Sequence, residues 1–245
     1  MTTSARSDDT VNDHPATGGL PDRGSPVRVW DLPTRLFHWA LVLAVLSAFV
    51  SRKFGDAMLV WHMANGYAIL VLVLFRLLWG LFGSTTARFR SFLTGPGAVI
   101  DYLRANLKGE HPRFVGHNPA GGWSVAALLT ILALQGVTGL FASDDILVKG
   151  PLAFLVSDKT VALASTIHRL SFLALLALVT LHLGAVLFYL AKGDNLILPM
   201  FTGDKTPSQL PSDAPPVRMR SNGRALMLLV LALGVVWAGI SLWKW

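Results

Sequence analysis

Four histidines lie within or at the edge of strongly apolar segments, where an ionisable side chain is costly and usually functional. They are His38, His62, His168 and His182. Imidazole nitrogens are good ligands for transition metals, and the chain contains no cysteine that could share that role. Any one of these residues alone is equally well explained as a neutral ring hydrogen-bonded between helices. Four together need a common explanation, which depends on the elements that carry them.

The composition indicates an integral membrane protein. Of the 245 residues, 53 % are hydrophobic and 14 % are charged, whereas an ordinary globular protein has roughly 25 % charged residues. The mean hydropathy is +0.53. A net charge of +7 would suggest nucleic acid as a partner of a soluble protein, but here it is expected to set orientation in the bilayer, and no nucleic acid is predicted. The absence of cysteine excludes iron–sulfur ligation, c-type haem attachment and disulfides in this chain.

Five segments approach the roughly 20 apolar residues that a bilayer core requires, which predicts an all-α membrane bundle in contact with lipid. The segments are Leu36–Val50, Leu59–Phe82, Trp123–Ala142, Val161–Ala191 and Ala225–Trp243. The first apolar run begins only near Leu36, so no signal peptide is expected, and residues 1–27 are predicted to be a disordered tail. Apolar residues spaced as one helical face after Gly95-Pro96-Gly97 predict a short helix that either lies on the membrane surface or packs on the bundle.

Lysine and arginine predict the orientation. The N-terminal tail and the second and fourth connections carry fourteen of these residues, and the opposite side carries five. The positive-inside rule therefore places the N-terminus in the cytoplasm and the C-terminus in the periplasm of a bacterial inner membrane.

Helical geometry then pairs the histidines by depth. His168 and His182 are fourteen residues apart, so they lie about 21 Å apart along one helix and within about 40° of the same face. The fourth span runs inward, which puts His168 near the outer surface with His62 and puts His182 near the inner surface with His38. Two stacked pairs of imidazoles suit two haems b, and a haem with both axial positions filled is suited to electron transfer.

Neighbouring residues fit this arrangement. Arg35 and Arg76 lie at the level of the inner haem and Arg169 follows His168, so these arginines are candidates to pair with haem propionates. Arg35 is equally well explained by snorkelling to the headgroups. His117, in the loop before the third span, is either an ordinary solvated histidine or a neighbour of the inner haem or of a quinone headgroup.

Small residues raise a similar question on the second and third spans. Gly66 follows His62 by one helical turn, and Gly136 and Gly139 lie at the level of His62 and His168. Glycine at these positions either lets a flat macrocycle approach the backbone or allows close helix packing.

Several runs resemble the bacterial di-haem cytochrome b family, which includes cytochrome b-561 and the b-type subunits of nickel–iron hydrogenases. They are VWDLPTRLFHW at residues 29–39, GHNPAGG at residues 116–122, TGL at residues 138–140, and HRL at residues 168–170 followed by His182. The resemblance implies a four-helix domain over residues 28–203 that holds two haems b, with His38, His62, His168 and His182 as axial ligands. A Pro-rich linker over residues 204–223 and a fifth helix over residues 224–245 depart from that pattern.

The predicted function is electron transfer across the inner membrane between the quinone pool and a redox partner. The resemblance implies quinone or quinol as one partner and a c-type cytochrome, a hydrogenase-like protein or another oxidoreductase subunit as the other. The chain has no flavin fingerprint and no cysteine, so it is predicted to be a relay more than a complete enzyme. The alternatives are a stand-alone quinol oxidoreductase with a small external acceptor, and a haem-free transporter or assembly factor.

Overall fold

The computed structural model describes residues 25–54, 58–110, 112–143 and 148–241. Its helices are α1 (Leu32–Lys53), α2 (Leu59–Phe82), α3 (Pro96–Leu107), α4 (Pro119–Phe141), α5 (Asp158–Ala191), α6 (Ile197–Thr202) and α7 (Asn222–Ser241). Two short strands, β1 (Val27–Arg28) and β2 (Asp204–Lys205), form the one sheet found in these ranges. Helices α1, α2, α4, α5 and α7 are long and apolar enough to cross a membrane. The predicted class, an all-α membrane bundle, is confirmed.

Polar caps explain why the membrane helices begin a few residues before their apolar runs. Asp31 accepts a hydrogen bond from the Thr34 amide at 2.7 Å, and Asn118 accepts one from the Gly121 amide at 2.7 Å. A proline follows each cap in the first helical turn, where its missing N–H costs nothing. The part of the predicted tail up to residue 24, and the end of the predicted fifth span beyond Ser241, lie outside the described residues.

Helix α2 occupies the centre of the bundle and packs against α1, α4 and α7, while α5 packs mainly on α4. The core contains Val73 and Trp79 of α2, together with Leu132, Leu175 and Leu228 from the neighbouring helices. Large apolar side chains on the outward faces of α5 and α7 are exposed, as expected where lipid replaces water around them.

One end of the bundle is closed by a segment that returns from α5. We call this end of the bundle the inner end, because it lies on the side that the sequence predicts to be cytoplasmic. There β1 pairs with β2, and the Gly203 carbonyl accepts hydrogen bonds from the amides of Val29 and Trp30 at 2.8 and 2.9 Å. Gly203 has φ +93°, and a Cβ at this position would lie 2.8 Å from the Trp30 oxygen. Only glycine therefore fits this crossing without strain.

The predicted short helix after Gly95 is α3. Tyr102 on its inward face is buried and shares a hydrogen bond with the Tyr189 hydroxyl of α5. Ile100, Leu103 and Leu107 are exposed, so the protein does not bury the apolar face. This arrangement combines a packed tyrosine with an apolar face suited to the membrane surface.

The Asp31 carboxylate joins α1 to α2, which generates a stability prediction. It is buried, caps α1 and accepts a second hydrogen bond from the Trp79 indole at 3.1 Å. Because Asp31→Ala removes both acceptors, we expect a loss of about 2–4 kcal/mol in unfolding free energy. Asp31→Asn keeps a side-chain oxygen for the cap and should lose less. Denaturant titration of the purified protein in detergent micelles measures both.

Ser157→Ala, which removes the exposed cap of α5 at the other end of the bundle, serves as the control. We expect it to cost about 1 kcal/mol or less. Equal losses for Asp31→Ala and Ser157→Ala would contradict the bridging role of Asp31.

Candidate functional site

At the outer end of the bundle, His62 of α2 faces His168 of α5. Their ring centroids are 6.2 Å apart and the two rings are perpendicular. The Nδ1 of His62 lies 2.9 Å from the Ala48 carbonyl, and the Nδ1 of His168 lies 3.0 Å from the Gln135 carbonyl. Because a carbonyl only accepts, each Nδ1 must carry the proton. The lone pair of each Nε2 is therefore free to bind a metal.

The separation of these two rings fits a shared metal ion. An ion bonded at about 2 Å to one nitrogen of each imidazole would hold the ring centres about 6 Å apart. Within the described ranges, no group of three or more histidine, aspartate or glutamate residues converges as a metal site. Two imidazoles supply only half of a tetrahedral zinc site, whereas they complete the coordination of haem iron, whose macrocycle provides the remaining nitrogens.

A cavity of about 190 Å³ borders this histidine pair. Arg169, which the sequence nominates, lines it and is exposed. Arg52, at the end of α1, also lines the cavity and interacts electrostatically with His168. The sequence does not reveal this role of Arg52, because the residue lies at the connection after the first span and nothing in its spacing relates it to α5.

The three glycines nominated by the sequence have different surroundings. A Cβ on Gly136 would lie 2.5 Å from the Leu70 side chain, so this glycine permits close packing of α4 against α2. A Cβ on Gly139 would lie 3.1 Å from the His168 ring, so this glycine makes room for the imidazole. Gly66 has no atom within 4 Å of such a Cβ and borders the cavity.

At the inner end, three histidines gather. His38 of α1 and His182 of α5 interact electrostatically, and His117 interacts with both of them. The His117 ring packs between Trp30 and Phe92, with centroid distances of 4.8 and 4.7 Å. The sequence left open whether His117 is a solvated histidine or a neighbour of the inner site. The structure favours the second, because His117 lies beside His38 and His182.

The electrostatics of His117 keep it neutral. Burial, assisted by the nearby cations Arg76 and Lys205, lowers the pKa of His117 to about 3. Among the described residues, the buried Nδ1 atoms of His117 and His38 have no hydrogen-bond partner. Buried nitrogens are rarely left unpaired, so both atoms indicate a polar group that the protein itself does not supply.

The two inner arginines have different partners. Arg76 is 3 % exposed, donates to the Ala87 carbonyl at 2.9 Å and lies 5.1 Å from the Phe89 ring centre. Arg35 donates through Nη1 to the Phe201 carbonyl, and its buried Nε has no partner among the described residues. The Arg35 side chain is thus attached to the backbone at Phe201, and its Nε–H is available to an anion.

Lys205 is a further residue that the sequence analysis missed. It is 6 % exposed, and its ammonium donates to the Phe114 carbonyl at 3.0 Å. Burial lowers the pKa of Lys205. From its position in the sequence, Lys205 is one of several cations in a loop. Its place at the inner site becomes visible only through the pairing of β1 with β2.

Residues 29–203 match the family described as prokaryotic cytochrome b561. No curated protein and no solved structure matched the chain. The matched range covers well over half of the sequence, contains all four histidines and stops before α7. The chain therefore belongs to the prokaryotic cytochrome b561 family, as a multi-pass membrane b-type cytochrome that binds haem b and takes part in electron transfer.

Proposed function

We propose that the chain binds two haems b and carries electrons across the inner membrane between the quinone pool and a redox partner. His62 and His168 hold the outer haem, and His38 and His182 hold the inner one. The observation that carries this proposal is the 6.2 Å pairing of the His62 and His168 rings with both Nδ1 protons directed to carbonyls. A haem held between two imidazoles supplies one-electron exchange with no open position for oxygen.

At the outer site the protein's task is to orient its ligands. The carbonyls of Ala48 and Gln135 accept hydrogen bonds from Nδ1 of the two histidines, so that Nε2 of each ring keeps its lone pair for a metal. Such hydrogen bonds also make the imidazole a more basic ligand. Arg52 and Arg169 at the cavity offer cations for the haem propionates.

At the inner site the two ligands must be chosen from three histidines. We assign His38 and His182, because they lie on the membrane-spanning helices α1 and α5 and interact electrostatically with each other. His117 sits on the segment before α4, clamped between Trp30 and Phe92. Its neutral ring serves as a hydrogen-bonding neighbour for a haem propionate or a quinone headgroup.

Cations at the inner site balance the haem propionates. Arg35 contributes its unpartnered Nε, and Arg76 contributes a deeply buried positive charge. A carboxylate in a low-dielectric interior needs such a partner, since an unpaired charge there is costly.

The N-terminus is proposed to be cytoplasmic and the C-terminus periplasmic, in accord with the distribution of lysine and arginine.

The ligand pairing generates the first functional prediction. We expect His62→Ala and His168→Ala each to remove the same haem, because either change deletes one axial bond of one iron. His38→Ala and His182→Ala should each remove the other haem. Haem content per chain and the α-band of the reduced-minus-oxidised spectrum measure both losses.

His117→Ala is the matched control for the ligand series. It removes a buried imidazole from the inner site without removing an assigned ligand, so both haems should remain. Retention of both haems in any of the four ligand variants, or loss of one in His117→Ala, would overturn the assignment.

The charge of Arg76 generates a prediction for the inner haem's midpoint potential. A nearby cation stabilises the reduced, less positive iron centre, so Arg76→Gln should lower the potential. A tenfold change in the preference for the reduced form corresponds to about 59 mV. Arg76→Lys should keep most of the wild-type value, and Arg104→Gln, on the exposed side of α3, is the control. An unchanged potential in Arg76→Gln, measured by redox titration, would remove Arg76 from this role.

A further inference from the structure

We propose that a pocket lined by four arginines, outside the candidate haem sites, binds the phosphodiester headgroup of an anionic phospholipid. The arginine pocket consists of Arg88, Arg90, Arg218 and Arg220, together with Thr85, Ser91 and Pro216. It encloses about 410 Å³. Four of these seven residues follow α2 and three precede α7, and the latter three lie beyond the family match.

Backbone hydrogen bonds hold the two halves of the arginine pocket together. The Thr85 amide donates to the Arg218 carbonyl at 3.0 Å, and the Arg218 amide donates to the Thr85 hydroxyl at 3.1 Å. The Arg220 amide donates to the Ser84 hydroxyl at 2.9 Å, and Ser84 is fully buried. The backbone that carries the arginines is thus held in place before a ligand binds, which reduces the conformational entropy lost on binding.

The arginine pocket concentrates positive charge without a counter-charge. The ion pairs found in the described part of the chain join Arg28 to Asp204 and Arg104 to Asp101, so no pocket arginine has a carboxylate partner there. The like charges of Arg90 and Arg220 add to burial in lowering the pKa of Arg88. An anion would relieve this repulsion, and guanidinium groups match phosphate oxygens in geometry.

The position of the arginine pocket favours a lipid over a free anion. The pocket adjoins the end of α2 at Phe82 and the start of α7 at Asn222, two helices that pack together. In the adjoining turns of these two helices, Leu81, Phe82, Leu226 and Met227 expose apolar side chains. Cations at headgroup level above an apolar surface suit a molecule with a phosphate at one end and acyl chains at the other. Basic pockets between membrane helices on the cytoplasmic side bind anionic headgroups in this way.

Native mass spectrometry of the full-length, haem-loaded protein tests the proposal. The probes are phosphatidylglycerol, phosphatidylcholine and inorganic phosphate, each titrated separately and in competition. We expect wild type to prefer phosphatidylglycerol over phosphatidylcholine by at least about tenfold, and Arg218→Gln/Arg220→Gln to bind phosphatidylglycerol at least about tenfold more weakly. Lys108→Gln/Arg113→Gln is the matched control, because it removes the same charge from exposed positions on the same side. It should stay within about twofold of wild type.

Haem content reports whether each variant folds. If the double variant loses haem, the exposed single change Arg90→Gln and the wild-type lipid preference still decide the question. Equal binding of the two lipids by wild type would overturn the proposal, as would equal losses in the pocket variant and its control. Displacement of phosphatidylglycerol by equimolar inorganic phosphate would also overturn it, because the pocket would then be a site for a free anion.

Discussion

A buried polar nitrogen left without a partner is costly inside an apolar bundle, and at the outer site one nitrogen of each imidazole is paired within the protein. One nitrogen of His62 is bonded to the Ala48 carbonyl of α1, and one nitrogen of His168 is bonded to the Gln135 carbonyl of α4. Each histidine is thereby tied to a helix other than its own, so that all four core membrane helices contribute to a single site. The centres of the two rings lie 6.2 Å apart, which fits a metal ion bonded to one nitrogen of each ring. The helix packing that holds the bundle together therefore also sets the positions of the two rings.

The inner end is built on a different principle, the return of the chain after α5. The pairing of β1 with β2 and the crossing at Gly203 bring the segment after α5 over the start of α1. The same fold-back buries Lys205 beside His117, and Asp31 fastens α1 to Trp79 of α2. The cations here need anionic or π partners, because burial leaves them without water. Among the described residues, the buried polar side chains at this end include Asp31, Arg76 and Lys205.

Helix α7 extends the family's core without entering either histidine site. It packs mainly against α2, the central helix of the bundle. Its entry segment is hydrogen-bonded to Ser84 and Thr85, which places arginines from both segments around one pocket. A bound anionic lipid would offset their mutual repulsion and strengthen the contact between α7 and the core. On this proposal, the strength with which α7 is attached to the core depends on the anionic lipid content of the membrane.

The sequence by itself determined the membrane class, the five spans and the placement of two of the four histidines on one helix face. These follow from local properties: apolar length against bilayer thickness, and the 3.6-residue period that puts His168 and His182 on one face. Only the tertiary structure decided that Gly136 serves helix packing while Gly139 accommodates an imidazole, because the two glycines differ only in what faces them. It also decided that Arg52, Lys205 and His117 lie beside the histidines and that arginines 130 residues apart share a pocket. Such placements depend on contacts between residues remote in the chain, and no local period or propensity encodes them.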